Sequence, residues 1–259
     1  MKIIADIGSN WHKFADIEES IEVCSDLEVD IFKIQYFNYE KLYGVHDPDA
    51  EKAYRVIPDA WIPLIAGLCE VHDIELLISV FDPSDVSFCS SYSSSLKIAS
   101  PEINYKPLLE AISDNSVVDD VIISTGCATL KDLNTANEIF LGTQVFMACD
   151  SSYPSTVSPI ANLLYLKENY YKVGLSDHSH DLGMYIIACV YLECDYYEKH
   201  FKLERIESTP DAFHSLNQHQ WKVLMENFHR SIHYSEFMPL WIDQHKPFKR
   251  KKVGNNWFR

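Results

Sequence analysis

The sequence predicts a (β/α)8 TIM barrel, an α/β fold, and three observations lead to this fold class. Short apolar runs alternate with stretches of helical period along most of the chain. The alternation gives eight strand and helix units in about 235 residues, which is the size of a closed barrel. No Gly-x-Gly-x-x-Gly follows the first apolar run, so an open doubly wound sheet is the weaker interpretation.

The apolar runs define the strands, and a helix is expected after each of them. The predicted strands cover residues 3–7, 31–35, 76–79, 96–99, 121–124, 145–148, 174–178 and 196–199. The predicted helices cover residues 14–27, 58–72, 84–91, 105–114, 130–141 and 159–169, a helix opened by Asp181 and Gly183, and a last helix from 217 to about 235. A long loop is expected after the second strand.

One domain, residues 1–236, carries the whole barrel in this interpretation. The chain has no linker, internal repeat or low-complexity segment before Phe237. Residues 237–259 lack an apolar period and include the basic run Lys249–Lys252, so we expect a C-terminal extension or an interface arm there. The composition, 47% hydrophobic, is typical of a globular protein with a substantial core.

Composition and charge argue against several classes of protein. The formal net charge of −16 argues against a nucleic-acid partner, because nucleic-acid binding depends on clustered positive charge. No apolar run is long enough to cross a bilayer, and Met1 leads into a strand, so we expect no membrane association and a cytoplasmic protein. Seven cysteines without a Cys-x-x-Cys pair support neither a disulfide framework nor a thiolate zinc site.

Charged residues interrupt three predicted strands near their carboxyl ends, where barrel enzymes place catalytic groups. Lys33 and Gln35 share one face of the second strand, Lys97 lies in the fourth, and Glu198 and Lys199 lie in the eighth. Burying a lysine is costly unless a negative group meets it. Each lysine could therefore be structural and pair with an interior carboxylate, or all three could face a bound anion.

Serine hydroxyls at the carboxyl ends of other strands favour the bound anion. Ser100, Ser124, Ser151 and Ser176 each follow or end a predicted strand. Lysines supply point charge for a phosphate and serine hydroxyls donate hydrogen bonds to it. A phosphorylated substrate follows as a hypothesis, whereas Glu198 and Glu102 are the carboxylates available if the lysines are structural.

Two histidines, His178 and His200, end the seventh and eighth strands. Matching ends of neighbouring parallel strands point into a shared space, so both imidazoles can reach one divalent ion. Two imidazoles with water or a carboxylate leave coordination positions open, as a Lewis-acid site requires. His180 and His214 lie in nearby loops, and the residues alone do not exclude them as ligands. Asp6, beside the eighth strand in a closed barrel, could contact the waters of the metal or the substrate.

Four strand-end segments resemble the catalytic barrel of the sialic acid (N-acetylneuraminate) synthase family. They are Lys97–Glu102, Ser124–Thr129, Gly174–His178 and Glu198–Leu203. The family condenses phosphoenolpyruvate with N-acetylmannosamine or a related amino sugar to give a nonulosonic acid and phosphate. The resemblance, which begins at residue 3 and ends near residue 235, implies a metal-dependent transferase of carbohydrate biosynthesis that forms a C–C bond.

The resemblance also implies a role for each site residue. The residues expected to bind the phosphate of phosphoenolpyruvate are Lys33, Lys97, Ser100, Ser124 and Ser176, and those beside its enol and carboxylate are Gln35 and Tyr153. The expected metal ligands are His178 and His200, for Mn²⁺ first and for Mg²⁺ or Co²⁺ as alternatives. The residues expected at the sugar are Glu198, Asp211 and Asp6, with Phe81 lining the pocket. Glu102 or a metal-bound water is expected to move protons, and Glu198 and Asp6 are the other catalytic candidates.

The sequence departs from the family pattern at sugar-facing positions. Asp6 replaces the glutamate of a first-strand Ala-Glu-Ile-Gly, and Ala212 replaces the histidine after Pro-Asp. Full-length bacterial members add an antifreeze-like domain that reaches the active site of the partner, and this sequence ends at Arg259 without room for it. We therefore expect a different sugar, a separate chain that supplies the cap, or a catalytically silent barrel that serves binding or assembly. A different metal-dependent aldolase is a further alternative, and a homodimer is the expected oligomer.

Overall fold

The computed structural model describes residues 1–49, 55–141, 144–155, 158–179, 183–188 and 192–230, and the backbone of residues 251–253 and 256–258. No helix in these ranges is long and apolar enough to cross a membrane. The predicted boundary after residue 236 and the start of the basic run lie outside the described residues, so the division of the chain there stays a prediction.

Eight parallel strands close into a barrel, which confirms the predicted fold class. They are β1 (Lys2–Asp6), β2 (Ile31–Tyr36), β3 (Glu75–Val80), β4 (Ser95–Ile98), β5 (Asp120–Ser124), β6 (Gln144–Ala148), β7 (Val173–Asp177) and β8 (Tyr196–Lys202). Each strand pairs with the next, and β1 also pairs with β8 in a register that ends with Asp6 opposite His200. The pairing of β1 with β8 joins the first and last strands of the barrel. It also gives the backbone N–H and C=O groups along both strand edges hydrogen-bond partners.

Helices follow the strands in the predicted order. They are α1 (Phe14–Asp26), α2 (Tyr39–Tyr43), α3 (Ile62–Val71), α4 (Val86–Ser90), α5 (Lys106–Ser113), α6 (Leu130–Phe140), α7 (Ile160–Asn169) and α8 (Gly183–Ile186), and residues 218–230 form a further helix, α9. Local signals set several ends. At α6, for example, Thr129 and Asp132 bond reciprocally to each other's backbone N–H groups in a capping box.

Some element boundaries differ from the sequence prediction. The long loop expected after β2 contains α2, which is capped by the Asn38 side chain and ends at Gly44 with a left-handed backbone. Short 3₁₀ turns precede α3, α4 and α5, each with a proline at its start. Leu216–Asn217 forms a short strand, β9, at the predicted start of the last helix. Asp181, where the seventh predicted helix was expected to begin, lies outside the described residues. The predicted end of the last helix, near residue 235, also lies outside them. Lys251–Val253 (β10) and Asn256–Phe258 (β11) pair in antiparallel orientation.

The barrel interior changes from apolar to polar along its axis. Near the amino ends of the strands the interior is filled by a cluster of Ile4, Ile31, Leu77, Ile122, Val145, Met147 and Tyr196. Two residues further along, on the same inward face, most strands carry a polar group, and these are Asp6, Lys33, Ser79, Ser124 and Glu198. The apolar layer closes one end of the barrel, so the polar groups can meet only at its carboxyl end.

Candidate active site

A cavity of about 500 Å³ opens at the carboxyl ends of the strands. All but one of the predicted site residues line it, and these are Asp6, Lys33, Gln35, Phe81, Lys97, Ser100, Glu102, Ser124, Tyr153, Ser176, His178, Glu198 and His200. The remaining one, Asp211, lines an adjoining cavity of about 250 Å³ that shares Gln35, Phe81, Tyr153 and His200 with the first. The structure thus brings the predicted residues together, and their individual roles stay predictions.

Three charged residues form the floor of the cavity. Lys33 Nζ lies 2.6 Å from Asp6 Oδ2 and 3.0 Å from Glu198 Oε1. Burial alone lowers the pKa of Lys33, but Asp6 and Glu198 outweigh burial and raise it. Burial raises the pKa of Glu198, and the lysines at 33 and 97 outweigh that effect and lower it. Lys33 is therefore paired within the protein, as the structural interpretation of the lysines predicts, yet it also borders an open cavity.

Lys97 is held differently from Lys33. Its ammonium bonds to the Ser124 hydroxyl, and its nearest carboxylate oxygen, Glu198 Oε2, is 3.6 Å away. Burial lowers the pKa of Lys97 more than Glu198 raises it. A buried ammonium with a distant counter-ion gains from an incoming anion, so Lys97 is the stronger of the two candidates for binding a phosphate.

Lys199 does not belong to this cavity, so the prediction that three strand-end lysines could face one anion is wrong for it. Its Nζ lies 2.8 Å from Asp177 Oδ2 on the helix-facing side of β8. Side chains alternate along a strand, so Glu198 and His200 face the barrel interior and Lys199 faces outward. The structural interpretation is correct for this residue.

The two predicted metal ligands lie side by side, with their ring centroids 5.8 Å apart. The Nδ1 of His178 lies 2.7 Å from the Asp150 carbonyl oxygen, which requires the proton on Nδ1 and leaves a lone pair on Nε2. This Nε2 lies 3.4 Å from the Ser176 hydroxyl oxygen. Burial first, and His200 second, lower the pKa of His178 to about 4. His200 Nδ1 is buried without a hydrogen-bond partner among the described residues and lies 3.6 Å from Asp6 Oδ2.

These features fit a divalent ion with two imidazole ligands. Both rings are buried, one has a fixed tautomer, and the other has an unsatisfied nitrogen. Within the described ranges, no group of three or more His, Cys, Asp and Glu side chains is arranged to hold a metal. Water and substrate oxygens would therefore complete the coordination, which is typical of catalytic metals and not of structural ones.

A third imidazole, His214, lies in the same corner of the site. Its ring packs edge-on to His200 at 4.7 Å and near Tyr153 at 4.8 Å. Neither ring nitrogen has a hydrogen-bond partner in the part of the chain that the structure describes, and burial, then His200, lower its pKa to about 4. His214 does not line either cavity. The other loop histidine, His180, lies outside the described residues.

Asp211 is fixed by the loop after β1. Its Oδ2 accepts hydrogen bonds from the Ser9 backbone N–H and from the Ser9 hydroxyl, each at 2.7 Å. Burial raises the pKa of Asp211, and His200 with the Ser9 bonds outweighs burial and lowers it. Gly8 precedes this contact with φ +49°. A side chain at Gly8 would meet Asp211 Oδ2 and come within 3.1 Å of His200 Nδ1.

Sequence reasoning missed several residues that line the site. Leu42 and Tyr43 reach both cavities from α2, a helix inside the predicted loop. Cys127 lines the main cavity, and Ser9 lines the adjoining one. The length of the loop after β2 was a usable signal, because long loops at this end of a barrel often carry site residues.

Comparison with known proteins identifies the family. Residues 20–235 match the NeuB family. The chain belongs to the NeuB family. Pseudaminic acid synthase of Campylobacter jejuni is 30% identical over 216 residues, which are 80% of this chain and 60% of that protein. N,N'-diacetyllegionaminic acid synthase of Legionella pneumophila is 24% identical over 255 residues, which are 87% of this chain and 70% of that protein.

The barrel of this NeuB chain is also similar to a solved structure, N-acetylneuraminic acid synthetase of Leptospira borgpetersenii in complex with citrate. The TM-score is 0.81 at 24% identity, over 96% of this chain and 87% of that chain, and this likeness shows the fold. The match to the NeuB family confirms the resemblance to sialic acid synthases at the level of the family. The chain spans 60% of the length of the Campylobacter jejuni relative.

Replacing Gly8 by alanine should destabilise this NeuB chain by about 1–3 kcal/mol, because the new methyl group overpacks the contact with Asp211. The free energy of unfolding in urea measures the change. Gly44→Ala is the matched control: Gly44 also has positive φ, +70°, but nothing lies within 4 Å of its added methyl group. Equal losses in the two variants would show that backbone strain, and not the Asp211 contact, sets the requirement for glycine.

Glu102 should give the stability of the NeuB barrel a distinct pH dependence. Burial raises its pKa from 4.5 to about 7, with Lys97 opposing, and its Oε2 has no hydrogen-bond partner among the described residues. Between pH 4.5 and about pH 7, Glu102 keeps its proton in the folded chain and loses it in the unfolded chain. The free energy of unfolding therefore falls as the pH rises through this range. The effect is at most about 3 kcal/mol, and solvent at the partly exposed carboxyl reduces it.

Urea unfolding of native protein and of Glu102→Gln at several pH values between 4.5 and 7 tests this. We expect the variant to gain stability relative to the native protein as pH rises. Glu110→Gln, at an exposed surface pair with Lys106, is the control. Parallel plots of unfolding free energy against pH for all three proteins would mean that the pKa of Glu102 is not raised by folding.

Proposed function

We propose that this NeuB chain condenses phosphoenolpyruvate with an open-chain amino sugar such as N-acetylmannosamine, giving a sialic acid-type nonulosonic acid and phosphate. The observation that supports it most is that one cavity of about 500 Å³ is lined by two buried lysines and, nearby, by two buried imidazoles. The lysines suit the phosphate of one substrate and the imidazoles suit an ion beside the aldehyde of the other.

The lysines and hydroxyls would bind the phosphoenolpyruvate. Lys97 and Ser124 already bond to each other, and Ser100 is held in place by accepting a hydrogen bond from the Gly126 N–H at 3.1 Å. Ser176 donates to Glu198 Oε1 at 2.8 Å and can turn to an incoming phosphate oxygen. A phosphate placed here meets fixed donors on buried side chains, where charge interactions are stronger than in bulk water.

In the proposed reaction a bond forms between C3 of phosphoenolpyruvate and the aldehyde carbon, and the aldehyde oxygen gains a proton. Water adds to C2, the C2–O bond to the phosphate breaks, and a ketone and inorganic phosphate result. The two lysines hold the leaving phosphate. Glu102, with a pKa of about 7, is suited to carry a proton between reacting oxygens at neutral pH.

The proposal includes a divalent metal, Mn²⁺ first and Mg²⁺ or Co²⁺ as alternatives. His178 and His200 would hold it, and it would supply Lewis-acid polarisation of the aldehyde oxygen. Asp6, 3.6 Å from His200 Nδ1, and Asp211 in the adjoining cavity are proposed to contact the sugar. A cytoplasmic homodimer, with a cap domain supplied by a separate chain as an alternative, completes the proposal.

A catalytically silent barrel is the second candidate function, and the pairing of Lys33 favours it. Asp6 and Glu198 compensate the charge of Lys33 without any ligand, so this residue by itself does not require an anion. Such a barrel would retain the cavity for binding or assembly. It would bind phosphoenolpyruvate or metal without turning over a sugar.

Phosphate release separates the two candidates. Purified protein is incubated with phosphoenolpyruvate, Mn²⁺ and a panel of 2-acetamido and 2,4-diacetamido sugars, with and without a chelator, and the products are identified by mass spectrometry. We expect phosphate release with at least one sugar, and its loss with the chelator. Bound metal without release for any sugar supports the silent barrel, and release that resists the chelator contradicts the proposed metal.

A further inference from the structure

A buried ion pair lies directly behind the two histidines and takes no part in the proposed reaction. Lys199 Nζ and Asp177 Oδ2 are 2.8 Å apart, and their side chains are 0% and 2% exposed. Asp177 precedes His178, Lys199 precedes His200, and the two residues are register partners in the β7–β8 ladder. The pair therefore joins the two strand ends that carry the imidazoles, from the opposite face of the sheet.

The hydrogen bonds of the pair reach both neighbours of His178. Besides the Asp177 carboxylate, the Lys199 ammonium donates to the carbonyl oxygen of Ser179 at 2.7 Å. The other oxygen of Asp177 accepts from the Ser179 backbone N–H at 2.8 Å. The Tyr197 hydroxyl donates to Asp177 Oδ2 at 2.7 Å. The backbone before and after His178 is thus bonded to β8 by side chains that face away from the cavity.

We propose that Lys199, Asp177 and Tyr197 form a clamp that sets the separation and orientation of His178 and His200 for binding one divalent ion. The inference rests on the proposed function, which supplies the ion. Lys199 acts in it as a positioning residue, because it touches neither ion nor substrate. Its effect passes through the backbone of residues 177–179 to the ring of His178, whose other anchor is the Asp150 carbonyl.

The energetics of buried charge support this role over simple stabilisation. The free-energy cost of desolvating two charges is about as large as the gain from their attraction, so a protein with apolar residues of similar size in their place is often equally stable. An ion pair does favour one arrangement of its side chains, because its hydrogen bonds are satisfied only in that arrangement. Groups that orient metal ligands from behind typically change metal affinity by about 10–100-fold when they are removed.

The test removes both charges together, in Asp177→Asn/Lys199→Met. Asparagine keeps an acceptor for the Ser179 N–H and a polar group beside the Tyr197 hydroxyl, and no unpaired charge is left inside. Mn²⁺ alone is the probe, and its dissociation constant is measured by electron paramagnetic resonance. We expect it to rise about 10-fold or more, with the melting temperature and the affinity for phosphoenolpyruvate close to those of the native protein.

Two further variants separate positioning from general damage. Asp120→Asn/Lys172→Met removes a second ion pair, 3.3 Å long, at the opposite end of the barrel and should leave Mn²⁺ affinity unchanged. Tyr197→Phe removes one hydrogen bond of the clamp and should weaken Mn²⁺ binding by a smaller factor. It also serves as the test variant should the double variant fail to fold.

The outcomes distinguish this inference from the proposed function. Native Mn²⁺ affinity in both clamp variants overturns the clamp and leaves the proposed reaction intact. If native protein does not bind Mn²⁺, the metal of the proposed function is wrong. Nitrogen-15 spectra of the histidine rings then decide the clamp: a single His178 tautomer in native protein that becomes mixed in the variants supports it, and an unchanged spectrum overturns it.

Discussion

Lys97→Met should weaken phosphoenolpyruvate binding by about 30-fold or more, because losing one partner of a buried charged contact costs about 2–5 kcal/mol. The Lys97 ammonium is buried, bonds to Ser124, and has its nearest carboxylate oxygen 3.6 Å away. A bound phosphate would be its closest counter-ion, and methionine fills the same volume without charge. Titration calorimetry with phosphoenolpyruvate measures the loss.

Two comparisons make the Lys97 result specific. Lys106→Met removes a lysine from an exposed surface pair with Glu110 and should bind phosphoenolpyruvate as the native protein does. Mn²⁺ affinity should be unchanged in Lys97→Met, because the ammonium of Lys97 bonds to Ser124 and faces Glu198, and neither residue is a proposed metal ligand. Unaltered phosphoenolpyruvate affinity in Lys97→Met would remove this residue from the phosphate site.

Lys33→Met should lower the free energy of unfolding by about 3–5 kcal/mol at neutral pH, which is the cost of leaving buried charges without their partner. Lys33 bonds to Asp6 at 2.6 Å and to Glu198 at 3.0 Å, and all three side chains are at most 5% exposed. In the variant, two carboxylates share the barrel interior with Lys97 as the remaining cation. Urea unfolding at neutral pH measures the loss.

A second substitution identifies the cause of that loss. Lys33→Met/Asp6→Asn removes the carboxylate closest to Lys33, so it should regain part of the lost stability. Lowering the pH should narrow the gap between Lys33→Met and native protein, because protonation neutralises the stranded carboxylates. A gap that is independent of pH, with no recovery in the double variant, would mean that packing and not charge explains the effect.

Most of the fold could be predicted because its signals are local. Buried parallel strands read as continuous apolar runs, and Ile31–Tyr36 and Val173–Asp177 were recognisable within two residues of their observed bounds. The 3₁₀ turns and α2 were missed, because segments of three to five residues are too short to show a period. α2 matters most among these, since it brings Leu42 and Tyr43 to the site.

The members of the site could be predicted, but not how they interact. Most residues that line the two cavities could be identified from their positions at strand ends and from the resemblance to sialic acid synthases. The resemblance could not show that His178 is oriented by the Asp150 carbonyl or that His214 packs against His200, because those contacts depend on how irregular segments fold over the strand ends. Lys199 was wrongly grouped with the lysines that could face the anion. The alternation of side chains along β8 already predicts that it faces away from the barrel interior.

The sequence by itself determined that eight strands alternate with helices and that lysines, serines and histidines stand at the strand ends. Only the tertiary structure decided which charges meet: Lys33 pairs with a carboxylate 165 residues away, and Lys199 pairs with Asp177 behind the sheet. The physical reason is that apolar period is a property of neighbouring residues, whereas the pairing of buried charges depends on how the closed barrel sets one strand against another.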